Sequence, residues 1–183
     1  MQNFNQICKK LAKEIFVYSN VSIKSIASNE IGILFEGNGF IIESTKNEDS
    51  IKIYLRKSYK PDLLIRSFFV VYGDAEEKMF FGKGYNKFFF DSDTELKGIL
   101  IFLKKKYDTV LQSFFSDDSM YLEIEKYFEN KRKSNLEKSY SLEETQKLII
   151  ETMSFSKRIR FTQDGSMNWP HKIGHPRRCK YGK

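Results

Sequence analysis

Apolar and polar positions alternate along this chain with two different periods, and the changes between them mark out its elements. Phe4, Ile7, Cys8, Leu11, Ile15 and Phe16 recur at helical spacing with Lys9, Lys10, Lys13 and Glu14 between them, which predicts an amphipathic helix over 4–17 with Cys8 on its apolar face. From Val21 the period shortens to that of strands. Ile31 to Glu36 and Phe40 to Ser44 flank Gly37-Asn38-Gly39, where Asn-Gly supplies the positive φ values of a tight hairpin. Ile51, Ile53 and Leu55 alternate with Lys52, Tyr54 and Arg56, so 51–57 reads as a strand with one wet face. Leu64 to Tyr72 is β-branched and aromatic, bounded by Pro61 and by Gly73-Asp74, and is expected to be a central strand. Lys78 to Phe81 and Tyr85 to Phe90 around Gly82-Lys83-Gly84 are expected to form a further hairpin.

Beyond Asp91 the helical period returns. Ser92 and Glu95 make a capping box, followed by Leu96, Ile99, Leu100, Leu103, Tyr107, Val110, Leu111 and Phe114, so a helix over 93–115 is predicted to lie across one face of the sheet. A second helix starts between Ser116 and Ser119 and carries Tyr121, Ile124 and Phe128 inward; Arg132 to Ser139 is polar enough for a solvated helix end or a loop. A third capping box, Ser141 with Glu144, opens a helix over 142–154. Short links between strands require antiparallel pairing. The expected class is therefore α+β: a mostly antiparallel sheet of about six strands, one N-terminal helix, three C-terminal helices and a basic C-terminal arm.

Charge divides the chain where periodicity does not. Residues 157–183 hold eight bases against the single acid Asp164, a surplus equal to the whole formal charge of +7, and 1–156 is balanced. We expect one α+β domain over 1–156 and an arm over 157–183, with a last strand over 157–162 added to a sheet edge before the Asp164-Gly165 turn. The same segment contains the one Trp, both His and four of the Arg residues, in a chain otherwise rich in Lys. Arg158, Arg160, Trp169, His171, Lys172, Arg177, Arg178, Lys180 and Tyr181 interleave cations with flat rings, which suits phosphates and unstacked bases. The expected partner is nucleic acid, single-stranded or structured RNA ahead of duplex DNA, or a nucleoprotein assembly. The alternative is a protein-interaction module of the inhibitor or immunity type, of mobile-element origin.

Other chemistry is sparse, and the reading favours a binding protein over an enzyme. His171, His175 and Cys179 stand four residues apart, but Gly174 and Pro176 break the helix that would align them and a structural zinc site needs a fourth ligand, so no metal or cofactor is expected. Pro61-Asp62 followed by Glu76-Glu77-Lys78 resembles the PD-(D/E)xK pattern of Mg²⁺-dependent nucleases. That resemblance implies a second alternative, in which Asp62 and Glu76 hold the metal and Lys78 steadies the attacking water. The segment departs from the family where Gly73-Asp74-Ala75 interrupts the apolar run before the Glu. Two Cys at opposite ends give no disulfide framework, which points to a reducing cytoplasm. No apolar run reaches the ~18 residues of a membrane span, so no membrane partner is expected.

Overall fold

The computed structural model describes residues 4–45, 50–83, 87–137, 160–161 and 163–168. The first helix, α1 (Phe4–Ile15), buries Phe4, Cys8 and Ile15 of the predicted face and half-buries Ile7 and Leu11, while Asn5 and Ala12 are buried as well. Four strands follow as an antiparallel meander: β1 (Val21–Ala27), β2 (Glu30–Phe35), β3 (Asn38–Ser44) and β4 (Ser50–Arg56). The free edge of β4 is shared by two short strands, β5 (Leu63–Leu64) on its second half and β6 (Phe88–Phe89) on its first, completing a six-stranded sheet.

Register lines up the apolar rows on one face. Ile23, Ile33, Phe40, Leu55 and Leu63 stand opposite one another across five strands, and Ile31, Ile42 and Ile53 form the next row. Phe35, Ile33, Ile31, Phe40, Ile42, Ile51, Ile53 and Leu55 are all buried. The opposite face has Lys52, Tyr54 and Arg56 half-buried on β4, as the alternation required. The β2–β3 turn departs from expectation by one position. Phe35 pairs with Asn38, so the two turn residues are Glu36 (φ 53) and Gly37 (φ 93), the left-handed pair of a type I′ turn, and Asn38 begins the next strand.

Two expected strands are helices. Leu63–Leu64 alone is extended, and α2 (Ile65–Tyr72) takes the rest of the apolar run. Its buried side chains include Ile65, Phe68 and Phe69, which share one helical face; tertiary packing of that face overrides the strand propensity of Val70 and Val71. Next, α3 (Ala75–Gly82) replaces the expected strand over 78–81. Its start is a reciprocal capping box: the Glu77 backbone N–H donates to Asp74 Oδ1 at 2.8 Å and the Asp74 backbone N–H donates to Glu77 Oε2 at 3.0 Å. Phe81 then stacks on Phe69 with ring centroids 5.0 Å apart. The hairpin expected about Gly82-Lys83-Gly84 is absent because β6 pairs with β4 and its presumed partner is helical.

The long helix predicted over 93–115 is continuous but not uniform. It runs as α4 (Asp93–Lys106), a π-turn (Tyr107–Leu111) and α5 (Gln112–Ser116), with Ser92 Oγ accepting from the Glu95 backbone N–H at the start. Regular α-helix would carry Leu111 about 80° round from Leu103 at ~3.6 residues per turn. The π-turn absorbs one extra residue, so Leu103, Leu111 and Phe114 all stay buried. Next, α6 (Ser119–Glu137) takes in 132–137 of the segment expected to be a solvated helix end or a loop, the helix-end form of that expectation. The helix expected over 142–154 lies outside the described residues. Among the described residues no helix is long and apolar enough to cross a membrane.

Lys57, next after β4, is buried despite its charge. Its Nζ donates to the Phe114 carbonyl at 2.8 Å and to the Asp117 carbonyl, and pairs with Asp118 at 2.8 Å. An ammonium at the carbonyl end of α5 meets both the unsatisfied C=O groups and the negative end of the helix dipole.

Candidate functional site

The described part of the arm is its root. Arg160–Phe161 (β7) pairs with Met167–Asn168 (β8) as a separate two-stranded sheet, not as an extra strand on the main sheet edge. The Asp164-Gly165 turn returns the chain at once, so the nearest backbone partner is local. Phe161 is buried, with its ring 5.3 Å from Phe102 and 5.8 Å from Phe88. Gly165 has φ +80, and a Cβ there would lie 2.7 Å from Ile101 Cγ2 and 2.8 Å from the Phe102 nitrogen, so the turn sits directly on α4. Lys105 Nζ donates to the Asp164 carbonyl at 2.6 Å.

Of the arm residues expected to bind nucleic acid, Arg160 lies in β7. Arg158, Trp169, His171, Lys172, Arg177, Arg178, Lys180 and Tyr181 lie outside the described residues, as do His175 and Cys179.

The three residues of the nuclease pattern occupy different elements. Asp62, between β4 and β5, accepts from Arg56 Nε at 3.0 Å and from Arg56 Nη2 at 2.7 Å, a bidentate pair. Glu76 is half-buried in the first turn of α3, and Lys78 is exposed two residues further on, where helix geometry turns it to another side. Among the described residues no group of three or more His, Cys, Asp or Glu is placed to hold a metal ion. The buried acid of the segment is Glu77, whose Oε1 pairs with Lys106 Nζ at 2.6 Å. That ammonium also stands 5.7 Å from the ring centroids of both Phe69 and Phe102.

A cleft of about 500 Å³ opens where the α1–β1 link, the β2–β3 turn and the π-turn meet. Tyr18, Phe35, Tyr107 and Phe115 supply its rings, and Asn20, Glu36, Asn38, Gln112 and Ser116 its polar groups. Phe35 and Tyr107 stack with centroids 4.0 Å apart and planes 13° from parallel, while Tyr18 meets both edge-on. The Tyr18 hydroxyl donates to Asp108, which also pairs with Lys104 at 2.7 Å. Burial pushes the Tyr107 phenol above its ordinary pKa, and negative charge from Tyr18, Asp108 and Glu36 adds to the shift. For Asp108, burial works upward, but the bonds from Lys104 and Tyr18 outweigh it and hold the carboxyl low.

Sequence periodicity placed none of these cleft residues together. Glu36 and Tyr107 are 71 residues apart, and the π-turn that aims Tyr107 leaves no composition signal. The one available cue was Glu36 itself, a long side chain immediately before a turn glycine. No protein family, curated protein or solved structure matches the chain.

Proposed function

We propose that this is a nucleic-acid-binding protein of a reducing cytoplasm that grips single-stranded or structured RNA, alone or within a nucleoprotein assembly, through Arg158, Arg160 and the basic, aromatic segment beyond Asn168. One observation carries the reading: the whole surplus of +7 belongs to residues 157–183, and the rest of the chain is neutral. Counterion release from RNA rewards such a concentration of cations, and Trp169, His171 and Tyr181 offer flat faces for unpaired bases. The docked turn adds support, because Phe161 and Gly165 hold the start of the segment against α4 and so fix where it leaves the body.

The test is fluorescence anisotropy with a labelled single-stranded RNA over a range of salt. Affinity should fall with log[salt], with a slope of about −0.7 per phosphate contacted. Duplex DNA should bind more weakly. The informative truncation ends at Asn168, because ending earlier, at Ser156, also removes the buried Phe161 and confuses binding with folding. Full affinity in the chain ending at Asn168, or in the triple variant Arg177→Gln, Arg178→Gln, Lys180→Gln, would overturn the proposal.

A further inference from the structure

We propose that the cleft between Glu36 and Tyr107 is a binding site for a small organic cation with a guanidinium head, separate from the basic arm. The cleft has the volume of a small-molecule site, and its lining includes four aromatic rings and one formal charge, the carboxylate of Glu36. No Lys, Arg or His lines it. Glu36, Asn20 and Gln112 are exposed, and among the described residues no cation pairs with Glu36 and no protein group bonds the side-chain amides of Asn20 and Gln112.

A guanidinium carries five N–H donors and no acceptor, and it stacks on aromatic faces while bonding a carboxylate in plane. The lining offers in-plane acceptors for such a group, a carboxylate with amide and hydroxyl oxygens, beside the aromatic side chains. A quaternary ammonium would leave those acceptors unused. The rings already attract cations, since Lys104 Nζ stands 5.3 Å from the Tyr18 ring centroid. An anionic ligand would meet Glu36 with no countercharge in the lining.

Two locally costly backbone features converge on this cleft. Glu36 holds φ 53 in a turn position that favours Asn, Asp or Gly, so a Glu there gives up stability. The π-turn that carries Tyr107 is a second such feature, and π-turns recur at functional sites. Glu36 is thus a poor residue for its turn and the only carboxylate of its cleft, which is the pattern of a side chain kept for binding.

The experiment uses agmatine as the probe and choline as the comparison, on the full chain, by calorimetry and by amide chemical shifts. Agmatine should bind in the millimolar range or tighter and more strongly than choline, shifting the side-chain amides of Asn20, Asn38 and Gln112. Glu36→Gln, which keeps the side-chain shape and removes the charge, should lower agmatine affinity at least about tenfold. Glu36→Asn should do the same while raising the thermal midpoint, because Asn is favoured at the turn. No saturation by ~10 mM agmatine, shifts that map away from the cleft, or unchanged affinity in Glu36→Gln would each overturn the proposal.

Discussion

The ammonium of Lys106 lies 2.6 Å from the buried carboxylate of Glu77, fastening the last turn of α4 to the first turn of α3. Glu77 also closes the capping box with Asp74, so one side chain completes a helix start and neutralises a cation between two rings. Removing either partner leaves the other charge with little solvent. Lys106→Met and Glu77→Leu should each cost about 3 kcal/mol in urea unfolding. The double variant Glu77→Leu, Lys106→Met should cost clearly less than the sum, because no buried charge remains. Additive costs would show that the pair does not act as a unit.

Lys57 should behave unlike its neighbour Lys60. Lys57 is buried against two carbonyls at the end of α5, whereas Lys60 reaches Asp118 only at 3.7 Å and from a more open position. Lys57→Met should destabilise by about 2 kcal/mol, since it strands those carbonyls. Lys60→Met should change stability by less than about 0.5 kcal/mol. Chemical denaturation of the two variants side by side distinguishes the roles.

Cys8 lies wholly inside the core, and burial pushes its thiol up to about 12 from the model-compound 9.0. The native state therefore keeps a proton that the unfolded chain releases first. That contribution is fully present below pH 9.0 and is lost as pH rises toward about 12. Stability should fall with pH in that window, and Cys8→Ala should flatten part of the decline. In a Cys179→Ser variant the remaining thiol should resist labelling at neutral pH until denaturant is added; rapid labelling of the native protein would contradict its placement.

Gly165 should be intolerant of a side chain. Its φ of +80 and the 2.7 Å approach to Ile101 mean that Gly165→Ala must move the turn off α4. A loss of about 1–3 kcal/mol is expected, with faster amide exchange in α4 near Phe102. Exchange as slow as in the parent would show that the turn is not held there.

Much of the fold was legible because burial imposes a period. Ile51, Ile53 and Leu55 alternate since β4 has one dry face, and Leu96, Ile99, Leu100 and Leu103 follow the helical repeat since α4 lies along the core. Leu64 to Tyr72 is strand-like in side-chain type but helical in spacing: Ile65, Phe68, Phe69 and Tyr72 stand at helical intervals, and Asp74 with Glu77 spells a helix start. The cleft was illegible for a different reason. It joins Tyr18, Glu36 and Tyr107 from three separate elements, and what aligns them is a backbone irregularity, which no local pattern encodes. The burial of Lys57 was hidden in the same way, because the carbonyls it meets belong to a helix end more than fifty residues later.

The extra residue in Tyr107–Leu111 works as a phase key between the two halves of one rod. Deleting a single residue there would yield a regular helix with everything downstream still in phase, whereas straightening the segment at its present length would swing everything downstream by about 100° and present its polar flank to the sheet. Chains that share this architecture can therefore lose this one residue together with the π-turn and keep the pattern of α5, whereas any other change of length at this point requires that pattern to be rewritten.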